Sequence, residues 1–123
     1  NYSRIKIKKQ RYLSLSLECH KGPEFEELDA EQKKSLLQSF TISEDNNRVG
    51  YRLKETVENN LNPILTSSVL PGTVQLTPSG KLIVLMRDCQ VTGGYPRILQ
   101  LTSESIDRLA QKITNDTFRF VIA

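Results

Sequence analysis

Leu13, Leu15, Leu17 and Cys19 alternate with Ser14, Ser16 and Glu18. A period of two predicts a half-buried strand, and Lys21-Gly22-Pro23 breaks it. Asp29 is suited to cap a helix, with Gln32 three residues on to complete a capping box. That helix is expected to carry Leu36 and Leu37 inward and to end near Phe40. Phe40-Thr41-Ile42 predicts a short strand, Ser43 to Asn47 a polar turn, and Tyr51 to Leu53 another short strand. Residues 54–63 are polar and rich in Asn and Glu, which predicts a loop, with Ile64 and Leu65 as candidates to re-enter the core.

Pro71-Gly72 turns the chain into Val74-Gln75-Leu76, and Pro78-Ser79-Gly80 makes a tight turn in which Gly80 supplies a positive φ. Leu82 to Met86 is an unbroken apolar run of strand length, the pattern of a strand buried on both faces. Arg97 to Leu101 is the next strand. Ser103 is placed to cap a second helix, whose Ile106, Leu109, Ala110 and Ile113 form one apolar stripe. After Asn115-Asp116, Phe118, Phe120 and Ile122 fall on one face of a final strand. Short strands punctuated by turns, with two helices, predict a mostly β single domain over residues 1–123, built as a small closed or nearly closed barrel.

Composition changes this picture little. At 123 residues, 37% hydrophobic and 25% charged, the chain has enough apolar matter to fold without a disulfide or metal. No stretch approaches the roughly 18 apolar residues of a membrane span. Cys19 and Cys89 lack metal-ligand spacing, so two reduced thiols in the cytoplasm is the plainer reading, with one bridge as the alternative. A lone His20 removes most zinc sites and most hydrolase triads. Arg4, Lys6, Lys8, Lys9 and Arg11 form a basic start, but no stacking aromatics or nucleic-acid motif accompany them, so a solvated segment is expected.

Chemistry concentrates between Gln75 and Pro96. The buried strand delivers Arg87, Asp88, Gln90 and Thr92, and then Gly93-Gly94. Adjacent glycines free the backbone to aim consecutive N–H groups at an anion or carbonyl oxygen. Asp88 could be a base or an orienting carboxylate, Gln75 and Gln90 offer amides suited to a lactam, urea or carboxylate, and Tyr95 adds an apolar face with a polar tip. The alternative is a plain hairpin, with Gly93-Gly94 its loop and Asp88 its cap. If the segment is a site, Gly94 is expected to need a positive φ or a close approach to the ligand.

Gln75-Leu76-Thr77-Pro78-Ser79-Gly80, then Met86-Arg87-Asp88-Cys89-Gln90-Val91-Thr92-Gly93-Gly94-Tyr95-Pro96, resembles the allophanate hydrolase subunit 2 family, which includes the C subunit of bacterial 5-oxoprolinase. Arg48-Val49-Gly50-Tyr51-Arg52-Leu53 is similar to a further signature of that family, and Gly22-Pro23-Glu24-Phe25 to a weaker one. Val49 and Val91 depart from the family's usual Met and Thr. The resemblance runs from about Leu15 to the end and implies a cyclophilin-like barrel, the C-terminal lobe of a longer protein whose N-terminal lobe is absent here.

That resemblance implies a share in the ATP-dependent opening of 5-oxoproline to glutamate, together with a KipI-like B component and an A component. Asp88 is then the catalytic candidate, and Arg48, Gln75, Gln90, Thr92, Gly93, Gly94 and Tyr95 the substrate-binding candidates. No Gly-x-x-x-x-Gly-Lys loop is present, so ATP is not expected on this lobe, and no metal, nucleic acid or membrane is expected either. Two alternatives remain: a biotin-dependent carboxyltransferase-like domain acting on urea or a related amide, and a non-catalytic module that binds a KipI-like partner. Without its companion lobe the domain is expected to fold and be inactive.

Overall fold

Alternation along the strands sorts the side chains onto two faces of one curved sheet. The computed structural model describes residues 15–123. The basic run from Arg4 to Arg11 and the Leu13 end of the first predicted strand lie outside them. The described chain forms β1 (Leu15–Lys21), a 3-10 turn (Phe25–Glu27), α1 (Ala30–Ser35), β2 (Phe40–Asn46) and β3 (Gly50–Thr56). It continues with β4 (Ser67–Ser68), β5 (Thr73–Leu76), β6 (Lys81–Leu85), β7 (Thr92–Gly93), β8 (Arg97–Leu101), α2 (Ser103–Ala110) and β9 (Thr117–Ile122). Seven of these strands close a barrel in the order β1-β8-β5-β6-β3-β2-β9. The small closed barrel with two helices is the architecture expected from the sequence.

β9 returns to β1 in parallel, with Phe120 opposite Leu17, while the other neighbours are antiparallel. Phe40, Phe118 and Phe120 meet inside the barrel, the last two edge to face with centroids 5.2 Å apart. Leu17, Ile42, Leu53, Val74, Leu82 and Val84 fill the same interior and are fully buried. One irregularity interrupts the alternation of β8. It pairs Leu99 with Val74 but Arg97 with Gln75, so Ile98 is an extra residue, a β-bulge.

The helices are shorter than their patterns predicted. Asp29 and Gln32 form the expected capping box, each backbone N–H donating to the other's side-chain oxygen at 2.8 Å. α1 ends at Ser35, so Leu36 is buried whereas Leu37 is 53% exposed rather than inward. In α2 the cap is Thr102, not Ser103, and its Oγ1 accepts from the Ser105 N–H at 3.2 Å. Ile106 and Leu109 are buried, but Ala110 is exposed, and Ile113 lies beyond the helix end and is 54% exposed. Phe40 and Tyr51 belong to longer strands than expected, and residues 54–56 belong to β3 rather than to a loop. Leu65 does not re-enter the core. It is 90% exposed, while Ile64 is half-buried. No helix among the described residues is long and apolar enough to cross a membrane.

Candidate functional site

The apolar run in β6 is buried on both faces for two separate reasons. Leu82 and Val84 point into the barrel, while Ile83 and Leu85 point out of it and pack with Val69, against which Cys89 also rests. The same alternation sends Val74 and Leu76 of β5 and Tyr51 and Leu53 of β3 inward, which leaves Gln75, Gly50 and Arg52 on the outer face. Register then aligns the outward positions. Gln75 stands opposite Ile83, and Ile83 opposite Arg52, so three strands contribute one cross-strand row.

This outer face is the floor of a cleft of about 640 Å³. Its walls come from Asp45 and Asn47 on one side and from Pro63, Ile64, Gln90 and the Thr92 to Tyr95 segment on the other. A two-stranded ladder holds the second wall, with Ser67 opposite Gly93 and Ser68 opposite Thr92. Ile64 N–H donates to the Gly94 carbonyl (3.1 Å), and Val69 N–H to the Val91 carbonyl (3.0 Å).

Arg97 fastens this ladder to the barrel. Its Nε donates to Glu24 Oε1 at 2.8 Å, one terminal nitrogen to Glu24 Oε2 at 2.9 Å, and the other to the Ser68 carbonyl at 2.9 Å. The Arg97 backbone N–H also donates to Glu24 Oε1, at 3.0 Å. These hydrogen bonds hold the Glu24 carboxyl below the usual carboxylate range, and Glu24 in turn raises the Arg97 guanidinium. The pair is largely buried, so it also fixes where the wall of the cleft begins.

Gln75 is the unusual member of the floor. It is 6% exposed, yet its amide makes no hydrogen bond to another described residue. Neither amide atom is sealed away, because no buried side-chain nitrogen or oxygen among the described residues lacks a partner. The amide therefore faces the cleft. Its donors and acceptor are thus open to the cleft, and a ligand that covered them without hydrogen bonding would leave them unsatisfied at about 1–3 kcal/mol. Gly93 makes room for it, since a β-carbon at Gly93 would lie 2.5 Å from Gln75 Nε2.

Of the sequence candidates, Gln75, Gln90, Thr92, Gly93, Gly94 and Tyr95 line this one cleft. Arg48 and Asp88 do not. They pair with each other at 3.1 Å, with side chains 85% and 52% exposed. Asp88 N–H also donates to the Arg48 carbonyl at 3.0 Å, so the two clamp the turn before β3 onto the chain that leaves β6. Gly94 lacks a positive φ, one of the two features expected of it; among the described glycines positive φ occurs at Gly72 and Gly80. Of the Gly93-Gly94 pair, Gly93 is the crowded one. Sequence reasoning missed Asp45, Asn47 and Arg52. Arg52 was detectable as the outward position between Tyr51 and Leu53 on the strand beside β6.

Cys19 and Cys89 are both free. Burial pushes the Cys19 thiol up to about 11 and raises Cys89 as well. His20 is exposed. Among the described residues no three His, Cys, Asp or Glu side chains are grouped to hold a metal.

The sequence matches the profile of the carboxyltransferase domain, subdomain A and B, over residues 3–122. It is 39% identical to the 5-oxoprolinase C subunit of Escherichia coli (strain K12) over 106 residues, 81% of this chain and 33% of that protein. It is 35% identical to the 5-oxoprolinase C subunit of Haemophilus influenzae over 83 residues, 66% of this chain and 27% of that protein. The chain thus spans a third or less of the curated relatives it matches. The crystal structure of the Kluyveromyces lactis urea carboxylase superposes with a TM-score of 0.78 over 89% of this chain and 11% of that one, at 15% identity, which shows a shared fold. With nearly its whole length matched by the profile, the chain belongs to the carboxyltransferase domain family, subdomain A and B.

Proposed function

We propose that this chain is one lobe of a 5-oxoprolinase subunit and that its outer cleft forms part of the site where the lactam of 5-oxoproline is opened to glutamate. The observation that carries this reading is the buried, unpaired Gln75 amide on the cleft floor. A five-membered lactam presents its carbonyl oxygen and its N–H side by side on one edge. A primary amide offers a donor and an acceptor with the same spacing, so Gln75 can satisfy both at once. Gln90, Thr92, Tyr95 and the Gly93-Gly94 backbone complete the wall around that edge.

Hydrolysis adds water to the lactam carbonyl and breaks the ring C–N bond, giving a carboxylate and an amine. Amides resist this step, which makes coupling to ATP chemically sensible. The relatives are named as one subunit of 5-oxoprolinase, which supports a multi-subunit enzyme. ATP is assigned to the partners, a KipI-like B component and an A component, and the N-terminal lobe of the same protein closes the open side of the cleft. Arg48 and Asp88 brace the rim from outside the lining, as a positioning pair. Two free thiols fit a cytoplasmic setting. The family match also supports a second reading, in which the cleft holds urea or a related amide that accepts a carboxyl group from biotin.

The test is to co-express the full-length protein with its companion components and to follow glutamate release from 5-oxoproline with and without ATP. ATP-dependent release that Gln75→Leu abolishes is expected, with no turnover by this chain alone. Turnover by the isolated chain would refute the need for the N-terminal lobe and the companion components. Biotin-dependent carboxylation of urea, with no glutamate formed, would favour the second reading.

A further inference from the structure

Resting on the oxoprolinase reading, the geometry points to Arg52 as the group that holds the carboxylate of the ligand while Gln75 reads its amide. The cleft would then select small ring amides that bear a carboxylate, and would bind them in one orientation. Three observations carry this. First, Arg52 lines the cleft, and its guanidinium forms no hydrogen bond or ion pair with another described residue. A planar guanidinium with its donors uncommitted is a ready fork for a carboxylate.

Second, Arg52 and Gln75 stand in the same cross-strand row with Ile83 between them. Two strand spacings separate their backbones, about 9–10 Å. Both side chains rise from the same face, so they approach a ligand from opposite ends. Ile83, 8% exposed, gives the apolar floor that a carbon ring would cover. Third, the remaining charged side chain of the lining is Asp45, which forms no ion pair with Arg52. Asp45 lies on the strand beside Arg52, opposite it in the irregular stretch between the Ile42–Leu53 and Asn46–Tyr51 pairs, and still leaves the guanidinium's donors uncommitted; with no cation at the Gln75 end of the lining, a charged ligand has one favourable direction. Arg48, the cation among the candidates that the family resemblance implied, is occupied by Asp88 outside the lining.

The test measures binding to the full-length protein by calorimetry, with two probes that differ only in the carboxylate: 5-oxoproline and 2-pyrrolidinone. The unaltered protein is expected to prefer 5-oxoproline. Arg52→Gln is expected to weaken 5-oxoproline by about tenfold or more and to leave 2-pyrrolidinone unchanged, so the preference collapses. Arg52→Lys is expected to restore part of it. Gln75→Leu is expected to weaken both probes by a similar factor and to preserve their ratio. A merely structural Arg52 would weaken both probes alike, and that result overturns the inference. So does an unaltered protein that binds both equally or binds neither. The oxoprolinase reading fails separately, if the preference depends on Arg52 but the assembled enzyme releases no glutamate with ATP.

Discussion

Gly93→Ala isolates the contact on which the cleft depends. The added β-carbon would sit 2.5 Å from Gln75 Nε2 and 3.6 Å from both Gln75 Cδ and Val69 Cγ1. Ordinary contact lies at about 3.5–4 Å, so the amide must retreat by about 1 Å. Lifting the Thr92 to Tyr95 segment instead would break its pairing with Ser67 and Ser68, so rotation of Gln75 is the cheaper relief. An off-rotamer side chain costs about 0.5–1.5 kcal/mol, and replacing glycine returns about 0.4–1 kcal/mol through the unfolded chain. Net stability should therefore fall by no more than about 1 kcal/mol. Binding should suffer more. Loss of two hydrogen bonds at about 0.5–1.5 kcal/mol each weakens 5-oxoproline by about tenfold or more. Gly94→Ala is the control, since its nearest neighbour is the Ile64 carbonyl oxygen at 3.7 Å. It should leave both stability and affinity near their original values. Gly80→Ala is the opposite control: with φ of 84° and a β-carbon 2.6 Å from the Val57 carbonyl oxygen, it should cost at least about 1–2 kcal/mol and spare the cleft. Denaturation midpoints and calorimetry on the full-length protein measure both quantities. If Gly93→Ala binds normally, or if Gly94→Ala loses more affinity than Gly93→Ala, Gln75 does not read the ligand.

Glu24→Gln should destabilise the protein by about 2–3 kcal/mol, because a largely buried Arg97 loses its charged acceptor. Since the folded Glu24 carboxyl is lowered, its contribution is complete above the ordinary glutamate value and is lost as pH falls through the lowered one. The acid limb of a stability–pH profile should accordingly flatten in Glu24→Gln, and an unchanged limb would contradict the sign. Asp88→Asn should shift stability by no more than about 1 kcal/mol, as befits an exposed pair. A loss of turnover by orders of magnitude at constant stability would return Asp88 to the chemistry. Under native conditions Cys89 should be alkylated well before Cys19, whose thiol is buried and pushed up to about 11. Equal rates, followed by peptide mass mapping, would mean that the β1 region opens readily.

The barrel was legible where one face of a strand meets one environment. Phe118, Phe120 and Ile122, or Leu17 and Cys19, announce their strands because the opposite positions are solvated. Helix lengths were less legible. Leu37 and Ile113 extend an apolar pattern past the point where the backbone leaves the helix, and the adjacent hydroxyls of Thr102 and Ser103 make the cap ambiguous. The glycine segment and Gln75 stood out by residue type and line one cleft, but the cleft itself could not be read. It forms on the outer face of β3, β6 and β5, and the irregular stretches that wall it, around Pro63-Ile64 and from Gln90 to Tyr95, have no periodicity to reveal what they enclose. Arg52 consequently entered only as part of a short strand and of the Arg48–Leu53 signature, and Arg48 and Asp88 were read as members of the site, whereas they pair with each other outside the lining.

The bulge at Ile98 acts as a parity switch. Beyond it along β8, the odd positions Leu99 and Leu101 face the barrel interior, and Ile98 joins them there as an extra inward residue. Arg97 is thereby returned to the outer face beside Gln75. Deleting Ile98 would straighten β8 and still leave Arg97 outward beside Gln75, because the residue removed is the extra one. Straightening the strand at constant length would do the opposite: Ile98 would stand beside Gln75, and the guanidinium would be directed into the barrel, away from Glu24 and the Ser68 carbonyl. The bulge therefore decides whether the wall of the cleft stays fastened to the barrel, although it alters no residue that lines it. Among relatives of this chain, a strand that lacks the bulge should be one residue shorter between its flanking turns.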